Sequence, residues 1–395
     1  MFHGTGSLKG DEWILFQVNE GPCSAGCDYC YERPVALNLL NDAQAKGKLP
    51  ATDLNQLNNR DLAGFISQNN QTLGLEMSVE ELSHYFSILR EAGISRAGLI
   101  GSEPTSHSRF EEILDAAQAQ EIDLLVYTAG MSPEKLVHPV IKQIVLHLDY
   151  GRLGEEQMKK KIDEETLPPD AYMEKINRLI DQGKLIDLRI NFTSAGLPEK
   201  GLVFNFYKKL SPENRSKVLF KYSFSTRVHE DPTSDYFTPQ SLNHASPRLM
   251  SFVDEFKKQF PESPMYSERP LFPCSFSKDE WQAYTDKGGF VSRCYMEYTV
   301  YPNSGLALCP PSRSLEAGKQ IKNPAQLIDR LNELREKIDT VLQLPSFPEC
   351  EPCEHRADMT CQGGCYGYKI GLLEKTGQLQ QRSQQLGQIE LLVPN

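Results

Sequence analysis

Three cysteines stand within eight residues in the stretch Cys23-Ser24-Ala25-Gly26-Cys27-Asp28-Tyr29-Cys30, shortly after the apolar run Trp13-Ile14-Leu15-Phe16-Gln17-Val18. Thiols this close can face one point only where the backbone wraps around it, and Gly21, Pro22 and Gly26 supply the turn chemistry for wrapping. Thiolates at such density bind soft metals, and three in one tight loop suit a centre that keeps a coordination position open for chemistry. Zinc sites more often pair CxxC halves at a distance, and no fourth Cys or His adjoins this trio. The spacing favours a cubane iron–sulfur cluster with one unique iron, against a zinc knuckle or a surface loop with incidental cysteines.

The remaining seven cysteines, Cys274, Cys294, Cys309, Cys350, Cys353, Cys361 and Cys365, crowd the C-terminal third, and none lies between 31 and 273. Structural disulfides would not leave the middle of a chain so bare, so a reduced compartment is expected, and thiols this dense in a reduced protein mean metal. Four-thiolate zinc of the ribbon type is the alternative there.

The trio, written CxxxCxΦC with Tyr29 in the aromatic place, resembles the signature of the radical S-adenosylmethionine (radical SAM) enzymes. The resemblance implies that Cys23, Cys27 and Cys30 each hold one iron of a [4Fe–4S] cluster. The methionine moiety of SAM would chelate the fourth iron, and electron transfer would yield a 5′-deoxyadenosyl radical that abstracts hydrogen from substrate. Gly101-Ser102-Glu103-Pro104 is similar to the family's GGEP stretch, with Ser102 in place of the second glycine and Glu103 as acceptor for the SAM amino group. Thr128, Asp149 and Asn191 fall at the ends of later strands, where family members contact the SAM carboxylate or ribose.

The C-terminal region resembles the SPASM domain, an auxiliary-cluster extension of this family, and Cys361-Gln362-Gly363-Gly364-Cys365 is close to its CxGGC hallmark. That resemblance implies a first auxiliary cluster on Cys274, Cys294, Cys309 and Cys365, and most of a second on Cys350, Cys353 and Cys361. Two departures stand out: seven residues separate Cys353 from Cys361 where five are usual, and no cysteine follows Cys365. Glu351, His355 and Asp358 are the nearby residues that could substitute as a ligand.

To position these groups the chain alternates strands and helices. Ser78 with Glu81 makes a capping box for a helix whose apolar face is Val79, Leu82, Phe86 and Leu89. Strands are expected at 97–100, 124–128, 144–148, 185–190 and 218–224. Helices are expected around 110–117, from Ser132-Pro133, over 172–180, and from Ser246-Pro247 after a polar loop at 226–245. This rhythm means an α/β fold with a parallel sheet and reactive loops at the C-terminal strand ends. The expectation is a partial (β/α)6 TIM-like barrel over 1–264, with 33–77 an insertion or lid. A small cysteine-rich α+β auxiliary-cluster domain follows over 265–374, then a tail at 375–395. Within that domain a hairpin is expected over 298–308 around Pro302-Asn303-Ser304-Gly305, and a helix over 323–342.

The 395 residues suffice for a large domain plus a smaller one, and an apolar content of 39% is ordinary for a folded chain. A net charge of −11 disfavours nucleic acid as partner. No apolar run spans a membrane and no signal peptide is visible, so cytoplasmic localisation is expected. SPASM members act mostly on peptides and proteins, which implies a ribosomal precursor peptide as substrate and an intramolecular C–C or thioether cross-link as outcome. Splicease-type excision of a backbone fragment, leaving a β-amino acid unit, is the alternative. Sulfatase-maturing-type oxidation is disfavoured because Pro310 follows Cys309 where those relatives carry Asp. Few residues precede the first strand, so a separate leader-binding (RRE-type) protein is expected, with flavodoxin or ferredoxin as reductant. The competing class is a non-enzymatic metal-binding interaction protein.

Overall fold

The computed structural model describes residues 13–19, 32–58, 61–62, 64–66, 68–69, 75–130, 132–148, 155–192, 200–224, 238–292, 294, 297–302, 305–308, 321–366 and 369–370. In the first half the elements are β1 (Ile14–Asn19), α1 (Glu32–Ala45), α2 (Val79–Glu91), β2 (Arg96–Gly101), α3 (Phe110–Ala119), β3 (Asp123–Thr128), β4 (Ile141–His147), α4 (Glu155–Asp163), α5 (Asp170–Asp181) and β5 (Leu185–Phe192). Then come α6 (Lys200–Lys209), β6 (Val218–Phe224), α7 (Pro239–Gln259), β7 (Met265–Ser267), α8 (Lys278–Gly288), β8 (Tyr298–Val300), β9 (Leu306–Ala307) and α9 (Pro324–Gln343), with short helical turns between. Packing groups Met1–Met158, Glu297–Leu308 and Glu316–Leu334 in one unit, and Lys159–Met296, Cys309–Leu315 and Arg335–Asn395 in another. The architecture is the α/β arrangement that the alternating pattern predicts.

In the first unit the strands run β4-β3-β2-β1-β8-β9. All pair in parallel except β8 with β9, which form the expected hairpin. Phe16 of β1 packs against Tyr85 and Phe86 of α2, with ring centroids 5.5 and 5.7 Å apart. The α2 helix buries Leu82, Phe86 and Leu89, the face its 3.6-residue period marks out, and Ser78 Oγ caps it by accepting from Glu81 N at 3.1 Å. Alternation sends Leu15, Ile100, Leu125, Tyr127 and Val145 into a second cluster joined by Trp13. The stretch 33–77 carries α1 and an apolar cluster of its own around Leu40, Leu54 and Leu62.

In the second unit β5, β6 and β7 are parallel neighbours. Ile186, Leu188, Ile190 and Phe192 alternate with Phe220, Tyr222 and Phe224 of β6 to form a buried apolar wall. Tyr207, Phe220 and Phe256 pack there with centroid separations near 5 Å. Between them β5 carries the charged Asp187 and Arg189, and β6 carries Lys221. Lys221 meets Asp187 at 2.6 Å and Arg189 meets Glu268 at 2.5 Å. Helix α7 starts at Pro239, earlier than Ser246-Pro247 suggests, because Thr238 and Ser241 cap each other reciprocally and Pro239 occupies the first turn. Pro247 lies inside that helix, which continues because Leu249, Phe252, Val253 and Phe256 bury one continuous face.

Candidate functional site

The C-terminal ends of β1, β2 and β3 meet in a polar knot centred on Glu103, which is 2% exposed. Its Oε1 accepts from Thr105 N at 3.2 Å, Thr105 Oγ1 at 2.6 Å and Thr128 Oγ1 at 2.8 Å, while Oε2 accepts from Ala129 N at 2.8 Å. Thr128 Oγ1 also accepts from Gly130 N at 2.9 Å. The β-strand alternation delivers Thr128 to this point, and Pro104 opens the short helical turn that brings Thr105 back onto the carboxylate.

Asn19, the last residue of β1, completes the knot. Its Nδ2 donates to Glu103 O at 3.0 Å, and its backbone oxygen accepts from Ser102 N at 3.3 Å. Gly101 makes this approach possible: its φ is +136°, and a Cβ there would lie 2.4 Å from Asn19 O. Asn19 is 6% exposed, and among the described residues its Oδ1 finds no donor. Sequence reasoning passed over Asn19, although a polar residue closing an apolar strand just before the cysteine trio was the available signal. Among the described residues Glu103 Oε2 takes one donor and Asn19 Oδ1 takes none, so the strand ends present acceptors that suit an ammonium group.

Gly101, Ser102, Glu103, Pro104 and Thr128 are thus brought together. Cys23, Cys27, Cys30, Tyr29, Asp149 and Cys309 lie outside the described residues. Asn191 stands on β5 of the second unit, in register with Ser223 of β6.

The second unit holds a different site. Cys274, Cys350, Cys353 and Cys361 line one cavity of about 400 Å³, solvent included, with Phe272, Gln362, Gly363 and Lys369. Burial and then the sulfurs of Cys361, Cys353 and Cys350 push the Cys274 thiol up to about 11. Burial likewise raises Cys361. Such mutual repulsion is relieved when a metal replaces the protons. Among the described residues no three His, Cys, Asp or Glu side chains converge tightly enough to hold a single ion.

The CxGGC loop owes its shape to its glycines. Gly363 and Gly364 have φ of +77° and +85°, and a Cβ on either would run into Ser346 Oγ at 2.1 Å or the Phe272 ring at 2.6 Å. This lets Gly363 N donate to Cys361 Sγ at 3.3 Å. Lys369 is 2% exposed, and its ammonium donates to Leu342 O at 3.1 Å and Gln362 O at 3.3 Å. Burial brings it down to about 8, and the charges that favour its protonation are the sulfurs of Cys350 and Cys361. Sulfur donors, an amide directed at one of them and a buried cation together fit an anionic metal–thiolate centre.

Cys274 therefore shares a cavity with Cys350, Cys353 and Cys361, whereas the resemblance grouped it with Cys294, Cys309 and Cys365. Cys365 is buried outside the cavity lining, and Cys294 N donates to Gln362 Oε1 at 3.1 Å.

No protein-family model matches the chain, and no curated protein does so significantly. Solved structures do. Native anSMEcpe with bound AdoMet aligns at 12% identity and a TM-score of 0.53, over 94% of this chain and 99% of that one. Streptococcus suis SuiB bound to the precursor peptide SuiA aligns at 15% identity and a TM-score of 0.53, over 90% and 72%. Native anSMEcpe with AdoMet and the Cp18Cys peptide aligns at 13% identity and a TM-score of 0.50, over 94% and 99%. At this identity the likeness shows the fold, which this chain shares with anSMEcpe and SuiB.

Proposed function

We propose that this chain is a radical SAM enzyme with a SPASM-like auxiliary domain over 265–374, and that it modifies a ribosomal precursor peptide. What supports this is the coincidence of CxxxCxxC at 23–30 with a fold that in anSMEcpe holds AdoMet and in SuiB holds a precursor peptide. Cys23, Cys27 and Cys30 would hold an iron–sulfur cluster, which with bound AdoMet would supply radical chemistry for hydrogen abstraction. Around them the protein's own residues bind and orient. Asn19 and Glu103 accept from the AdoMet ammonium, and Thr105 and Thr128 hold the Glu103 carboxylate in one rotamer. Tyr29, Asp149 and Asn191 are proposed as further AdoMet contacts.

The product we favour is an intramolecular C–C or thioether bond, with backbone excision as the second outcome. We place the reaction in the cytoplasm with a flavodoxin or ferredoxin as reductant and a separate leader-binding protein as partner. Among the described residues no helix is long and apolar enough to cross a membrane. The test is anaerobic reconstitution followed by dithionite-dependent formation of 5′-deoxyadenosine, which Cys27→Ala should abolish. Turnover that survives the substitution, or wild-type protein that holds only zinc, refutes the proposal. A product lighter by two hydrogens indicates a bond, and a larger loss indicates excision.

A further inference from the structure

The grouping that the resemblance implies assigns Cys350, Cys353 and Cys361 no fourth thiolate. We infer that Cys274, reaching in from the segment after β7, supplies the missing ligand, so that Cys274, Cys350, Cys353 and Cys361 form one complete four-thiolate iron–sulfur centre. The inference rests on the auxiliary-cluster reading above and concerns which residues build it.

Three observations carry it. Cys274 lines the same cavity as the other three, while Glu351 and Asp358 do not line it. Phe272 locks the backbone two residues before Cys274 against the CxGGC loop: its ring meets Phe347 at 5.9 Å and fills the space that a side chain on Gly364 would need. Pro273 then opens a short helical turn, with Ser275 N donating to Phe272 O at 2.9 Å, which presents Cys274 from a rigid backbone. Finally, the ammonium of Lys369 sits against the cavity, where a centre with four thiolates supplies the negative charge that a 2%-exposed cation requires. His355 also lines the cavity, with its Nδ1 3.3 Å from Thr360 Oγ1, and the Cys274→Ser variant separates the two: a cluster that His355 completes would survive that substitution.

The test uses the full chain carrying Cys23→Ala, Cys27→Ala and Cys30→Ala, so that remaining iron belongs to the C-terminal region. Iron per chain and the electron paramagnetic resonance of the dithionite-reduced protein are then read for Cys274→Ser, Cys353→Ser and the pair. If the inference holds, each single variant loses the same signal and the same share of iron, and the pair loses no more than either alone. Losses that add, or a Cys274→Ser protein indistinguishable from its parent, overturn it. A second measurement needs no substitution at these four positions. Iodoacetamide labelling of the loaded parent should spare Cys274 together with Cys350, Cys353 and Cys361, and chelation should expose all four at one rate. Labelling of Cys274 alone in loaded protein refutes the assignment, as does zinc in place of iron. The wild-type chain's 5′-deoxyadenosine yield decides the parent proposal independently.

Discussion

Glu103 offers the sharpest test of the proposal that the strand ends hold a cofactor. Its carboxylate receives four hydrogen bonds, two of them from backbone N–H groups, Thr105 N and Ala129 N, that have no other acceptor within the knot. Glu103→Gln preserves shape but gives one terminal atom a donor character. The lower-energy orientation keeps the amide oxygen on the three donors at Oε1 and turns the NH2 toward Ala129 N. One buried N–H is then stranded, at a cost of about 1–3 kcal/mol. Glu103→Ala strands both backbone N–H groups, at about 2–6 kcal/mol, while the two threonine hydroxyls can rotate to new partners. Because the same atoms shape the proposed AdoMet contact, Glu103→Gln should weaken AdoMet binding about 5- to 150-fold, at 1.4 kcal/mol per tenfold. Equilibrium dialysis of anaerobically reconstituted protein measures the affinity, and amide hydrogen exchange at Thr105 and Ala129 reports the knot itself. Faster exchange at both amides with AdoMet affinity unchanged would show that the knot stabilises the fold without governing the site. Unchanged exchange in Glu103→Ala would refute the hydrogen-bond assignment.

Further outcomes follow from other parts of the molecule. Gly101→Ala places a Cβ 2.4 Å from Asn19 O at a φ of +136°, so it should cost more than the about 1–3 kcal/mol of a strained backbone conformation. Urea titration reads that loss as a lower midpoint. Asp187→Asn leaves Lys221 without its buried partner and should cost about 3–5 kcal/mol, whereas the double change Asp187→Leu and Lys221→Met should recover most of it. A double-mutant cycle by urea titration checks this, and strict additivity would count against the pair. Lys369→Met removes the buried cation beside the sulfurs. It should shift the one-electron reduction equilibrium of the proposed C-terminal cluster at least about tenfold toward the oxidised form, about 59 mV, in a dye-mediated redox titration.

The sequence by itself determined the fold class, much of the order of elements and the chemistry proposed for the cysteine trio. Cysteine spacing at 23–30 and the βα rhythm from Ser78 to Phe224 depend on local turn chemistry and on periods of 2 and 3.6 residues, which a single chain displays directly. The helix at α2 and the hairpin of β8 and β9 were legible for that reason. Helix α1 and its small core were not, because Asn, Gln and Asp interrupt the apolar period between 33 and 77. The start of α7 was missed because Pro247 gave a stronger local signal than the Thr238–Ser241 cap. Only the tertiary structure decided which polar residues meet. Asn19 reaches Glu103 because β1 and β2 are parallel neighbours with Asn19 opposite Gly101, a pairing that no local pattern encodes. Cys274 joins Cys350, Cys353 and Cys361 across more than seventy residues of chain because aromatic packing of Phe272 against Phe347 closes the loop between them. Contacts of that range are set by burial of side chains distant in sequence, and composition and spacing carry no record of them.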